Sequence, residues 1–266
     1  MSVLVAIPAR YASTRYPGKP LVPLTGATGE ARTLIRRSWD AAMQVRGVDR
    51  VVVATDDDRI AAEARGFGAE VVMTSSACRN GTERCAEVVS ALGGSYDIVV
   101  NLQGDAPLTP PWFVEDLIAG LSARPDMGVA TPVLPTDGAA LRGFLEDRRA
   151  GRVGGTTAVF GADRRALYFS KEVIPYTGKD WPDAAITPVF HHVGVYAYRP
   201  AALAAYAGWE PGPLEGLEGL EQLRFLERGV PVLCVEVDAR GRQFWELNNP
   251  ADVPRIEAMM RQMGLA

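Results

Sequence analysis

Arg10, Arg15 and Lys19 place three cations in the stretch from Pro8 to Leu21. Ser13, Thr14 and Gly18 lie among them and leave main-chain N–H groups accessible. At the carboxyl edge of a parallel sheet, cations and free amides together cradle a polyphosphate. A solvated basic loop with no ligand fits the same residues equally well. Asp105 offers a hard oxygen to a cation such as Mg2+; by position alone it serves as well as a turn or N-cap aspartate ahead of Pro107. Thr55-Asp-Asp-Asp58 contains a D-x-D pair of the kind that binds metal in glycosyltransferases, although capping of the next helix is the commoner use. Gly18-Lys19 runs into Pro20, so no P-loop is present, and Gly66-Phe-Gly68 lacks the third glycine of a dinucleotide fingerprint.

The elements that must carry these groups follow from short apolar runs. Residues 2–8, 50–55 and 97–102 read as buried strands, with a shorter one at 69–73. Helical stretches at 33–45, 58–65 and 82–92 alternate with them, which predicts βαβ units and a ligand site at the strands' carboxyl ends. Further strands are expected at 128–133, 156–160, 193–198 and 232–237. The connection after the first strand is long for a compact domain, which favours a functional loop. Residues 166–188 change character, being rich in Pro, Gly and aromatics such as Tyr168, Phe169, Tyr176 and Trp181. That composition suits an inserted lobe or dimer arm better than a linker. Leu214-Glu-Gly-Leu-Glu-Gly-Leu-Glu221 reads as one amphipathic helix reaching Arg228, stopped by Gly229 and Pro231.

Composition narrows the class. The 266 residues suffice for one large α/β domain, with or without a smaller lobe. A net charge of −4 disfavours nucleic acid and anionic membranes as partners. Cys78, Cys85 and Cys234 form no C-x-x-C pattern, which implies a reducing, cytoplasmic setting and inert thiols. The two histidines are adjacent, His191 and His192, which excludes an H-E-x-x-H metal site.

Eight ordered blocks carry a family resemblance. They are Ile7-Pro-Ala-Arg-Tyr-Ala-Ser-Thr-Arg15 with Pro17-Gly-Lys-Pro-Leu21, Val53-Ala-Thr-Asp56, Asn80-Gly-Thr-Glu-Arg84 and Asn101-Leu-Gln-Gly-Asp105. The series continues through Ala166-Leu-Tyr-Phe-Ser170, His192-Val-Gly-Val-Tyr196, Pro213-Leu-Glu and Leu220-Glu-Gln-Leu-Arg224. In this order they resemble the 3-deoxy-manno-octulosonate (Kdo) cytidylyltransferases, the CMP-Kdo synthetases. The resemblance implies an α/β, Rossmann-like nucleotidyltransferase fold, its sheet mixed but mainly parallel, with a small inserted dimerisation lobe. It implies a nucleotide-binding domain over 1–160 and 205–266 and a lobe over 161–204 with sugar-acid contacts and a dimer arm. It also implies a Mg2+-dependent, cytoplasmic homodimer that joins CMP from CTP to Kdo for lipopolysaccharide synthesis and releases pyrophosphate.

Site residues are implied block by block. Arg10, Arg15 and Lys19 would hold the triphosphate, with Lys19 stabilising the leaving charge, and Asn80, Gly81, Arg84 and Gln103 would contact the nucleotide. Asp105 becomes a metal ligand and, with Lys19, a catalytic group. Gln103, Lys171, His192, Tyr196, Glu221 and Gln222 would contact the sugar acid. Read without the resemblance, His192 is as readily a structural histidine and Glu221 a solvated one.

Three departures mark the chain. Ala106 stands where the family's Q-G-D-E-P has glutamate, and Lys171 stands where Arg is usual. Lys cannot reproduce the two-pronged carboxylate contact of Arg. Leu247-Asn-Asn-Pro-Ala-Asp-Val253 puts Asn248 at the family's metal-binding aspartate; Glu246, on the same face of an extended segment, is expected to supply a carboxylate in its place or else to be a surface residue. These departures leave room for another 3-deoxy-2-keto sugar acid as acceptor, such as 8-amino-Kdo, or for a nucleotide-binding protein without turnover.

Overall fold

The computed structural model describes residues 1–13, 16–153, 155–242 and 245–265. Its elements run β1 (Val3–Ala9), β2 (Pro23–Thr25), β3 (Ala31–Thr33), α1 (Leu34–Ala42), β4 (Arg50–Thr55), α2 (Asp58–Gly66), β5 (Glu70–Met73), α3 (Gly81–Leu92) and β6 (Ile98–Leu102). Next come α4 (Pro111–Ala123), β7 (Val129–Asp137), α5 (Gly138–Arg149), β8 (Thr156–Phe160), β9 (Ala166–Ser170), β10 (Ile186–His192) and β11 (Val195–Tyr198). The last are α6 (Pro200–Ala207), α7 (Pro213–Glu218), α8 (Leu223–Glu227), β12 (Val232–Glu236) and α9 (Val253–Gln262). Two compact units result, Met1–Glu115 with Ala239–Ala266, and Asp116–Asp238. The expected lobe over 161–204 falls inside the second. Among the described residues no helix is long and apolar enough to cross a membrane.

In the first unit β5, β4, β1 and β6 pair in parallel, in that order, as the alternation of apolar runs and helices predicts. Every residue of β1 is buried, because helices cover the sheet and an uninterrupted apolar run suits a strand with no solvent face. The long connection after β1 is partly structured. The Gly18 N–H donates to the Tyr11 carbonyl at 2.9 Å, a 3-10 turn spans Lys19–Leu21, and β2 and β3 form a small antiparallel ladder. Leu24, Leu34, Leu108, Leu247, Ile256, Met259 and Met260 form a core cluster that ties α9 and the 247 segment to this hairpin.

The second unit is mixed. β7 pairs antiparallel with β11 and β10 and parallel with β12, and β8 and β9 extend the sheet antiparallel beyond β10. Residues 166–188 contain β9 and the start of β10, and Phe169 of β9 is fully buried. One expectation is corrected here. The single helix over 214–228 is two, because Gly219 takes a left-handed conformation (φ +61°) that ends α7. Arg224, fully buried in α8, donates twice to Glu215 of α7 at 2.6 Å, so the two short helices are clamped by a buried ion pair.

Three thiols lie within these units. Cys85 and Cys234 are buried, and Cys78 donates to Glu87 Oε2 at 2.9 Å. Burial, joined at Cys78 by the Glu87 carboxylate, pushes both Cys78 and Cys234 up to about 12.

The histidine pair closes β10. Burial pushes His191 down to about 4 and, helped by its neighbour's charge, His192 down to about 3. In the unfolded chain both titrate near 6.5. As pH falls below that value the unfolded chain takes up two protons that the folded chain refuses until about 4 and 3. Folding stability is therefore full above pH 6.5 and drains as pH falls. Urea melts should show a slope approaching about 2.7 kcal/mol per pH unit between roughly pH 6 and 5, and His192→Gln should halve it. An unchanged slope in that variant would show that the pair does not carry the acid sensitivity.

Candidate active site

In the first unit, parallel pairing of β1 with β6 sets Ala6 beside Asn101, so the chain leaves both strands at the same edge of the sheet. Arg10 stands exposed one residue beyond β1, and Lys19 follows on the 3-10 turn. Beyond β6, Gly104 lies so close to β1 that a Cβ there would sit 2.8 Å from the Pro8 carbonyl oxygen. Ser38 Oγ donates to the Gly104 carbonyl at 3.0 Å. The turn so fixed presents Asp105, whose Oδ2 accepts from Lys19 Nζ at 2.7 Å. The pair is partly shielded, with the side chains 13 % and 28 % exposed. A carboxylate and an ammonium at a sheet edge can serve a cation and an anion side by side.

The Leu247 N–H donates to the Asp105 carbonyl at 2.9 Å, and the Leu247 side chain is fully buried. Glu246 and Asn248 thus flank a residue tied to Asp105. The Asn248 and Asn249 N–H groups both donate to Asp252 Oδ2, at 2.9 and 2.7 Å, which fixes this stretch by a capping box. Among the described residues, no three His, Cys, Asp or Glu side chains converge as a metal cluster.

Around α3 the expected nucleotide residues divide by role. Asn80 caps the helix, its Oδ1 accepting from the Glu83 N–H at 2.9 Å. A Cβ on Gly81 would lie 2.8 Å from Gln103 Nε2 and 2.9 Å from Asn101 Nδ2, so both amides abut the helix N-terminus. Arg84 is 3 % exposed; it faces Asp56 at 3.4 Å and donates to the Thr74 hydroxyl. Its charge is thereby engaged inside the unit. Asp57 accepts from the Arg59 N–H at 3.0 Å as the cap of α2, and the Arg59 guanidinium holds its carboxyl below the usual range. The aspartate run is therefore a cap plus an internal partner for Arg84, a role no spacing rule revealed. Arg15 lies outside the described residues.

The second unit holds the expected sugar-acid residues. The Tyr196 hydroxyl donates to Gln222 Oε1 at 3.0 Å, and Gln222 Nε2 is buried with no hydrogen-bond partner among the described residues. His192 sits 2.9 Å from Thr131 Oγ1, with the Phe169 ring edge-on at 4.9 Å. Because the Thr131 hydroxyl also donates to the Val195 carbonyl at 2.9 Å, it accepts from His192 Nε2–H, and the ring is neutral. Glu221 lies in the turn between α7 and α8, its carbonyl accepting from the Tyr206 hydroxyl at 3.2 Å. Lys171 follows directly on β9. Sequence reasoning missed Glu218, which binds the end of β9; its three-residue spacing from Glu215 was the available signal, since it sets both carboxylates on one face of α7.

A family model described as cytidylyltransferase matches residues 4–236. The 3-deoxy-manno-octulosonate cytidylyltransferase of Maricaulis maris is 46 % identical over 264 residues, covering 99 % of both chains. The mitochondrial enzyme of that name from Arabidopsis thaliana is 40 % identical over 99 % of this chain and 85 % of its own. A solved CMP:2-keto-3-deoxy-manno-octonic acid synthetase complexed with CTP superposes with a TM-score of 0.83 at 33 % identity, covering 99 % of this chain and 100 % of the other. With a likeness that runs from end to end, this chain belongs to the cytidylyltransferase family and is an enzyme of that class.

Proposed function

We propose that the chain transfers CMP from CTP to the anomeric hydroxyl of Kdo, giving CMP-Kdo and pyrophosphate in the cytoplasm for lipopolysaccharide synthesis. The observation that carries this reading is the 2.7 Å Lys19–Asp105 pair at the carboxyl edge of a parallel sheet, in a chain of this family. Arg10 and Lys19, with Arg15, bind the triphosphate. Asn80, Gly81 and Gln103 hold the nucleotide at the start of α3, and Arg84 braces that helix through Asp56. Lys171, His192, Tyr196, Glu221 and Gln222 of the second unit bind the acid. His192, being neutral, offers the acid a hydrogen bond rather than a charge. The buried, unpartnered Gln222 Nε2 supports a hydroxyl-bearing ligand.

The acceptor oxygen attacks the α-phosphorus, the bond from that phosphorus to the bridging oxygen breaks, and the electron pair leaves on pyrophosphate. Lys19 stabilises that charge; the proton of the attacking hydroxyl passes to solvent. The donor set fits Mg2+, which takes one or two carboxylates and draws its other ligands from phosphates and water. Asp105 would hold it, with Glu246 or Asn248 beside, and the ion would supply charge neutralisation at the α-phosphate. Exposed Leu167, Tyr176 and Ile186 support 161–204 as the arm of a homodimer. Lys171 in place of Arg favours a second reading, the same transfer to a related acid such as 8-amino-Kdo.

Pyrophosphate release with CTP and Mg2+ across a panel of keto sugar acids tests both readings; release with none of them would refute the transfer. Lys19→Met should lower kcat/KM about 100-fold or more, as loss of a charge stabilising a transition state does. Asp105→Asn should match that loss and raise the Mg2+ needed for half-maximal rate. Glu246→Ala should raise that requirement too, whereas Asn248→Asp should lower it; wild-type Mg2+ dependence in Glu246→Ala would leave Asp105 and Asn248 as the ligands.

A further inference from the structure

Lys171 is half-buried, one residue past the end of β9, and among the described residues its ammonium makes no ion pair. A shielded cation with no anion beside it is unfavourable unless a ligand supplies one. What holds it there is legible in the last turn of α7. Glu218 Oε2 accepts from the Lys171 main-chain N–H at 2.9 Å. Its Oε1 accepts from Ser170 Oγ at 2.6 Å and from the Tyr168 hydroxyl at 3.4 Å. Ser170 Oγ in turn accepts from the Glu172 N–H at 3.0 Å, so one carboxylate fixes the backbone on both sides of Lys171. The next residue, Gly219, completes the seat. A Cβ there would lie 3.0 Å from Lys171 Nζ, so the ammonium occupies the space any other side chain would take. The left-handed backbone at φ +61° independently favours glycine.

We infer that Glu218 and Gly219 are positioning residues for Lys171, setting its ammonium as a single-point contact for the carboxylate of the acceptor acid. The inference rests on the proposed reading of Lys171 as an acid-binding residue. Glu218 acts through the main chain: both oxygens are engaged by β9, which leaves the ammonium uncompensated for the incoming anion. Gly219 acts by vacancy, since a side chain there would displace the ammonium from its seat.

A double-mutant cycle on the full chain tests this, reading KM for Kdo and for CTP separately. Glu218→Ala should raise KM for Kdo about tenfold, the loss expected on disturbing a charge-assisted contact, with KM for CTP unchanged. In the Lys171→Met background the same substitution should change KM for Kdo by less than about twofold, because the group it positions is gone. Gly219→Ala should behave alike, and Glu218→Gln should restore part of the affinity. Equal effects of Glu218→Ala in both backgrounds, or a parallel rise in KM for CTP, would reduce Glu218 to a structural role and overturn the inference. If Lys171→Met itself leaves KM for Kdo unchanged, the acid-binding reading of Lys171 fails, a result distinct from the failure of the seat. Wild-type thermal melting of Glu218→Gln keeps the comparison free of unfolding.

Discussion

The approach of Gly104 to the Pro8 carbonyl governs the first unit. Two neighbouring parallel strands end at one edge, and only a residue without a side chain lets the turn after β6 lie against β1. From that contact follow the position of Asp105, the reach of Lys19 to it, and the docking of the Leu247 segment on the Asp105 carbonyl. Charge placement here is inherited from backbone packing. The carboxylate and the ammonium are close because the turn at Gly104 brings Asp105 within reach of Lys19. A partly shielded pair of this kind gains from reduced dielectric screening.

The second unit solves a different problem. Its helices α7 and α8 are too short to stand by propensity, and the buried Arg224–Glu215 pair together with the Arg224–Tyr206 ring contact at 4.1 Å holds them. Polar side chains are therefore brought into a largely apolar setting where each must find a partner. His192 and Thr131 satisfy one another, Tyr196 satisfies half of Gln222, and Glu218 is satisfied by the end of β9. Among the described residues, the Gln222 amide nitrogen is buried without a hydrogen-bond partner and the Lys171 ammonium makes no ion pair, and both are donors. That bias matches an acceptor-rich, anionic ligand.

The parallel half of the fold was legible because buried parallel strands are continuous apolar runs, as in Val3–Ala9, and these could be located without knowing their partners. The antiparallel half was less so. β9 and β10 carry aromatic and prolyl residues whose pattern looks irregular until β8 and β7 are set beside them. The break at Gly219 was hidden by a leucine repeat that fits one helix as well as two. Among candidate site residues, Lys19 and Asp105 could be placed beyond strand ends, but their 2.7 Å pairing could not. Nor could the burial of Arg84, because it depends on Asp56 and Thr74, which are distant in sequence. Glu218 went unread because its spacing from Glu215 shows only a shared helix face, whereas its partners, the Lys171 main-chain N–H and the Ser170 and Tyr168 hydroxyls, lie far away in sequence.

The cysteines have a practical side. With Cys78 and Cys234 held at about 12, almost none of either thiol is ionised at neutral pH, and Cys85 is buried. A maleimide or a disulfide-forming reagent meets a chain that is chemically quiet. One cysteine introduced on an exposed position would thus be labelled selectively with all three native residues left in place, opening the protein to fluorescence or spin-label distance measurements without a cysteine-free background.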